Sequence, residues 1–230
     1  MDQVLKSYKY ISDTKVDVLY SQIPRGALEG IAVELNINLK LAIVETSAAV
    51  KRNLPLETRF SRLQVVVKYL EKHQQFDIGS IDAPKAYFRG VLPMHWRLIP
   101  PPPRDQTKLV YWGGSTEQTI LGLGGSPQHM IGRTGDATIG EPSSALPYLV
   151  AFLAEHLRLA SPPADADPED PLYGLDAVKA TNESLKGSMP RFEFLAEFLL
   201  DDSDQKRMPG HKRILIGSPI YVALANVQKQ

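Results

Sequence analysis

Hydrophobic and polar positions alternate most regularly from Leu35 to Ile43. Leu35, Ile37, Leu39, Leu41 and Ile43 are separated there by Asn36, Asn38, Lys40 and Ala42. A period of two puts one face of a strand in a core and the other in water. Such half-wet strands suit antiparallel or mixed sheets, because all-parallel sheets are covered on both faces. The pattern predicts an α+β fold: a mostly antiparallel or mixed β-sheet of about six to eight strands with three to four packed helices. Further strand signals are Tyr8 to Ser12, an imperfect alternation from Tyr87 to Ile99, and Lys108 to Trp112 with Thr119 to Leu123. The last two read as a hairpin turning at Gly113-Gly114-Ser115. Pro93 marks its strand as an edge or a bulge. Arg213 to Ile216 and Ile220 to Ala225 form one or two final strands around Gly217-Ser218-Pro219.

Helical spacing is carried by Val16, Leu19, Tyr20 and Ile23, with Ser12 or Asp13 as N-cap and Pro24-Arg25-Gly26 as the stop. Phe60, Leu63, Val67 and Leu70 mark a second helix over residues 57–73. Leu146, Leu149, Val150, Leu153 and Leu157 mark a third, begun by Ser143 or Ser144 with Pro147 in its first turn. Residues 191–200 fit a helix and a strand equally. The four prolines from Pro100 to Pro103 read as a stiff extended connector. Residues 161–171 (SPPADADPEDP) are acidic and apolar-poor, hence a disordered or solvated loop. The segment after it is too short to hold its own core, so the expectation is a single domain over residues 1–230 with its first and last strands as neighbours.

Composition removes several function classes. Lys plus Arg is 26 and Asp plus Glu is 26, which argues against nucleic acid as a partner. The chain has no cysteine, so disulfides, zinc-thiolate sites, iron–sulfur clusters and thiol catalysis are excluded. Five histidines are scattered with no metal-binding spacing, and no metal site is expected. The sequence implies no particular cofactor. The longest apolar run, Ala145 to Ala154, is far short of the roughly 20 residues that span a bilayer. The N-terminal Met1-Asp2-Gln3-Val4-Leu5-Lys6 lacks a secretory h-region, which predicts a soluble, cytoplasmic protein without a membrane span.

Candidate chemistry concentrates in Gly122-Leu123-Gly124-Gly125-Ser126-Pro127-Gln128-His129-Met130-Ile131-Gly132. A glycine-rich strand end lets backbone N–H groups approach a ligand, and Ser126 and His129 add a hydroxyl and an imidazole. Pro127 occupies the third glycine position of a dinucleotide fingerprint, and no Gly-Lys-Ser/Thr follows. The surroundings of Ser126 do not make a nucleophile elbow either. Ile216-Gly217-Ser218-Pro219 echoes the motif at another strand end.

Several phrases occur together: Tyr10-Ile11-Ser12-Asp13-Thr14-Lys15-Val16-Asp17, Tyr87-Phe88-Arg89-Gly90 with Leu92-Pro93-Met94, Gly122-Leu123-Gly124-Gly125-Ser126 with His129 and Gly132, and Gly217-Ser218-Pro219-Ile220-Tyr221-Val222-Ala223-Leu224. In this set the chain resembles an actinobacterial family catalogued as a domain of unknown function. The resemblance covers most of the chain, thins over residues 161–190, and implies one complete unit. It brings no activity, ligand or catalytic residue.

The first functional expectation is a non-enzymatic binding or sensor module for a small molecule or protein partner. Its contacts would come from Gly124, Gly125, Ser126, His129, Ser218 and Tyr221, with Trp112 or Tyr221 supplying apolar surface. The second is a hydrolase or transferase with Ser126 as nucleophile, His129 as base and Asp13 or Asp136 as orienter, which requires residues 126–129 to turn helically. The third is a structural or assembly protein. Oligomeric state is not legible.

Overall fold

The computed structural model describes residues 6–37, 58–73, 78–99, 108–132, 171–202 and 212–225. The chain divides into two compact units, Met1–Ser12 with Ile78–Gln230, and Asp13–Asp77.

The larger unit is built on a mixed sheet of seven strands: β1 (Ser7–Ile11), β2 (Ile78–Ser80), β3 (Tyr87–Ile99), β4 (Leu109–Ser115), β5 (Thr119–Gly125), β6 (Arg191–Asp201) and β7 (Arg213–Leu224). Five of them close into a barrel in the order β3-β4-β5-β7-β6 and back to β3. Only β5 and β7 run parallel within it. β1 adds antiparallel to β7, so the first and last strands are neighbours, and β2 adds parallel to β3. Closure depends on β3 and β7 changing partners along their length. β3 pairs β6 through Tyr87–Pro93 and β4 through Met94–Ile99. β7 pairs β6 on one edge; on the other it pairs β5 through Arg213–Gly217, then β1 through Tyr221–Leu224.

The barrel interior is filled by side chains, as expected of so few strands. Phe88, Met94, Trp112, Leu121, Leu123, Phe192, Phe194 and Leu215 form one core cluster. Phe88 and Phe194 meet edge to face at 5.8 Å. They have room because Gly217 faces inward: a Cβ there would lie 2.6 Å from the Phe88 ring. A second cluster lies on the outer face, where α4 (Pro171–Ser184) lays Leu175, Ala177 and Val178 against Leu109, Tyr111, Ile214 and Ile216.

The smaller unit holds α1 (Asp13–Gln22), α2 (Arg25–Glu34) and α3 (Arg59–Lys72). Leu63, Val66 and Leu70 bury one stripe of α3. The Thr58 hydroxyl caps this helix by accepting the Ser61 N–H at 3.2 Å. Ion pairs tie α3 to α1 through Arg59–Asp13 and Arg62–Asp17, and to α2 through Lys68–Glu34 and Lys72–Glu34.

Several expectations change. Leu35–Ile37 is not the start of a strand; it closes α2. Asn36 adopts φ 53°, Ile37 N–H donates to Ala32 C=O at 2.8 Å, and Asn36 N–H donates to Val33 C=O at 3.1 Å. That is a Schellman close, with Asn36 taking the left-handed position usually held by glycine. The rest of the alternating run lies outside the described residues. Gly113-Gly114-Ser115 is not a turn but part of β4; the hairpin turns at Thr116–Gln118, where the Thr116 hydroxyl accepts the Gln118 and Thr119 N–H groups. Gly217-Ser218-Pro219 is not a strand end but the middle of an unbroken β7. Residues 191–200 are strand. The helix expected over residues 143–159, the proline run and the acidic stretch 161–170 fall outside the described residues. The α+β class holds, with the sheet curled into a barrel and four helices among the described residues.

Candidate functional site

β7 builds the site by switching neighbours. β5 and β1 share the edge of β7 opposite β6, and between them Ser218, Pro219 and Ile220 face a fork. Ladder groups point alternately to the two sides of a strand. In β6 the Ala196 groups turn toward β3, so Ala196 opposite Pro219 is a pair without direct hydrogen bonds. The N–H that Pro219 lacks would therefore have pointed into the fork, which is why proline is tolerated in a central strand. The Ser12 N–H closes the far side of the fork on Ile220 C=O at 2.9 Å.

The loop after β5 bridges the fork. Gly124 and Gly125 end β5, and Leu123 lies beside Gly217 in the parallel register. The two Gly-Ser-Pro phrases thus lie on adjacent strands. Pro127–His129 forms one 3-10 turn capped by the Ser126 hydroxyl, which accepts the Gln128 N–H at 3.4 Å. Met130 then bridges to Tyr10, and the Ile131 N–H donates to Lys9 C=O at 2.9 Å. The loop in this way reaches the outer edge of β1. The Tyr10 ring sits edge-on to Trp112 at 5.2 Å and to His129 at 5.8 Å. Gly125 leaves space for the Tyr10 hydroxyl, since a Cβ there would stand 2.5 Å from it.

Ser126, His129 and Ser218 are all buried. The Ser218 hydroxyl stands apart from its neighbours: it is fully removed from solvent and has no hydrogen-bond partner among the described residues. The 3-10 turn supplies the helical geometry that the Ser126/His129 reading required. Of the two orienters considered with it, Asp13 is held by Arg59 in the helical unit, and Asp136 lies outside the described residues. Among the described residues no group of three His, Asp or Glu side chains is placed to hold a metal ion, and no helix is long and apolar enough to cross a membrane.

Tyr221 lies beyond the fork, paired with Ile11 of β1 and Leu195 of β6. Its hydroxyl donates to Glu193 Oε1 at 2.7 Å, and the Lys6 ammonium reaches the same oxygen at 2.5 Å. The Tyr8 ring meets Tyr221 edge to face at 5.7 Å. Burial pushes the Glu193 carboxyl up, but the Lys6 and Tyr221 hydrogen bonds and the charges of Lys6 and Arg89 outweigh it and hold it below its ordinary value. Burial, then the Glu193 charge, pushes the Tyr8 phenol up. Motif reading of the sequence missed this group. Tyr8 lies on β1 and Lys6 just before it, but Glu193 joins them only through the β6–β7 register. A carboxylate with a depressed folded-state pKa contributes stability above its unfolded value and loses it as pH falls through the folded one. Glu193→Gln is therefore expected to remove part of the stability lost on acidification below about pH 4.5 and, by removing the charge that helps raise the Tyr8 phenol, to lessen the loss on the alkaline side as well, as thermal unfolding against pH would measure.

Comparison with curated proteins and with solved structures finds no match. A family model does match, over residues 6–226. Residues 6–226 take in both units and every strand and helix described above, and on that match the chain belongs to a family of unknown function, DUF7019.

Proposed function

We propose that the protein is a non-enzymatic binding module that takes a small polar ligand at the fork between β5 and β1. The observation that carries this reading is the Ser218 hydroxyl, buried and unbonded where two strands part. A buried hydroxyl without a partner costs about 1–3 kcal/mol, and a ligand group that bonds to it recovers that cost. The backbone of Gly124 and Gly125 and the side chains of Ser126 and His129, on the segment that leaves β5 and crosses to β1, would supply the remaining polar contacts. Their burial favours a small ligand over the flat face of a protein partner, because groups this enclosed do not reach a planar surface. A Ser126/His129 hydrolase or transferase is the second reading, favoured by the 3-10 turn. Against it, the Ser126 hydroxyl already serves as the cap of that turn.

Native mass spectrometry of the purified protein is expected to show a retained small molecule. Ser218→Ala is expected to release it while stabilising the ligand-free protein by about 1 kcal/mol, since the substitution removes an unsatisfied polar group. Binding loss together with a rise in Tm is the signature of a hydroxyl kept for a ligand. No retained molecule, or retention unchanged in Ser218→Ala, overturns the reading. Hydrolysis of an activated ester that is lost in His129→Ala would favour the enzyme instead.

A further inference from the structure

The fork leaves another feature of the barrel unexplained. β6 begins at Arg191, and the chain before it leaves the ladder where the Met94 N–H donates to Pro190 C=O at 3.1 Å. Beyond that bond, the edge of β3 facing away from β4 has no strand beside it among the described residues. Backbone groups alternate along β3. Phe198 N–H reaches Ala86 C=O and Met94 N–H reaches Pro190 C=O, so the even-numbered residues point toward the β6 side. The N–H and C=O groups of Trp96 and Leu98 consequently face the open edge. The next residues in the sequence are Pro100 to Pro103, which have no N–H to extend it.

The side chains along this edge are unusual for an open strand. Trp96 is 47% exposed, although it lies on the same face as the fully buried Trp112 opposite it. Leu98 is on that face too, and Met189 is exposed just before β6. The other face of β3 presents Arg97, with Arg191 exposed beside Pro93. Neither arginine has an acidic partner among the described residues.

We propose that residues Trp96 to Leu98 of β3 accept an extended acidic peptide by strand addition, with an acidic side chain opposite Arg97 and apolar side chains beside Trp96 and Leu98. Main-chain hydrogen bonds to the open groups supply affinity, and the alternating side chains supply selectivity. Charge decides the occupant. A second copy of this chain, paired antiparallel about a two-fold at Arg97, would match Trp96 to Leu98 well, but it would set Arg97 directly opposite its own symmetry mate. Like charges at directly opposed strand positions are destabilising, and opposite charges are favourable. The same arginine that discourages self-pairing therefore selects an acid.

The blocked peptide Thr-Val-Asp-Val-Asp-Val-Thr tests this, with lysines replacing both acids as the control. The chain has two tryptophans and Trp112 is buried, so a saturable blue shift on adding the acidic peptide reports Trp96 and disappears in Trp96→Phe. Arg97→Glu is expected to weaken the acidic peptide at least about ten-fold and to strengthen the lysine peptide. Leu98→Pro removes an N–H from the open edge and none from the β4 ladder, so it is expected to abolish the shift while the far-UV circular dichroism is retained. Three results each overturn the proposal: no shift up to the solubility limit of the peptide, equal binding of both peptides with no response to Arg97→Glu, and a dimer by light scattering that dissociates in Leu98→Pro.

Discussion

Asn182→Ala is expected to destabilise the protein by about 3 kcal/mol, the sum of three buried or half-buried hydrogen bonds at roughly 1 kcal/mol each. Asn182 projects from α4 onto the paired strands β4 and β5. Its Oδ1 accepts the Tyr111 hydroxyl at 2.7 Å, and its Nδ2 donates to Leu121 C=O at 3.0 Å and to Gly114 C=O at 3.3 Å. Tyr111 is fully buried, and burial pushes its phenol well above its ordinary value, so it remains a proton donor at any ordinary pH. Removing its acceptor leaves that donor stranded. The helix comes close enough to make these bonds because two glycines face each other beneath it, Gly113 on β4 and Gly122 on β5. A Cβ on Gly113 would overlap Asn182 Oδ1, and one on Gly122 would lie 2.7 Å from the Tyr111 hydroxyl and 2.8 Å from Val178. Gly113→Ala should therefore cost about 2 kcal/mol alone, as overpacking does. It should cost less than about 1 kcal/mol in the Asn182→Ala background, where the obstructing oxygen is gone. Urea unfolding of the two single variants and the double variant measures the coupling. Additive losses would mean that the glycine and the asparagine do not meet.

The same pair of glycines shows where the sequence was legible and where it was not. Gly113-Gly114-Ser115 carries turn chemistry, and the hairpin expected there does exist. Its turn lies three residues further on, because Gly113 serves the packing of α4 and Gly114 that of β3 at Pro93 and Met94, which no local pattern announces. α4 was itself missed: its buried positions Leu175, Ala177 and Val178 are few, and Thr181 and Asn182 are poor helix formers. α2 was missed for a related reason, since Pro24-Arg25-Gly26 read as a stop. Strands β1, β3, β5 and β7 were legible because each alternates or is rich in β-branched and aromatic residues. Barrel closure was not, because it depends on β3 and β7 exchanging partners at Pro93/Met94 and at Ser218, and strand periodicity carries no partner information. At the candidate site, the repeated Gly-Ser-Pro phrase pointed to two segments that do lie side by side. What it could not convey is that one copy is an interrupted strand end and the other the middle of a strand.

The other large effect is expected at the opposite end of β7 from Leu224. Asp201→Asn should cost about 3–5 kcal/mol, the usual result of removing one partner from a buried ion pair. Arg213 and Asp201 face each other across β6 and β7 with side chains only 14% and 7% exposed. Arg213 is enclosed further by Asp82, whose backbone carbonyl accepts from Nη1 at 3.2 Å, while the Arg213 Nε has no partner among the described residues. Burial pulls the guanidinium down from its ordinary value, and the Asp82 charge opposes this. With one bond already unmade, this cation depends heavily on the Asp201 carboxylate. Asp82 is committed elsewhere, accepting the Thr116 and Thr119 hydroxyls at 2.9 and 2.8 Å, so it cannot move to replace Asp201 without opening the β4–β5 turn. The pair is costly to break but not intrinsically stabilising, because both charges had to leave water. Replacing both residues together, Asp201→Leu with Arg213→Met, should thus recover most of the stability lost by Asp201→Asn alone. Equal losses in the single and double variants would show instead that the ion pair itself, rather than the avoidance of a stranded charge, holds this end of the barrel.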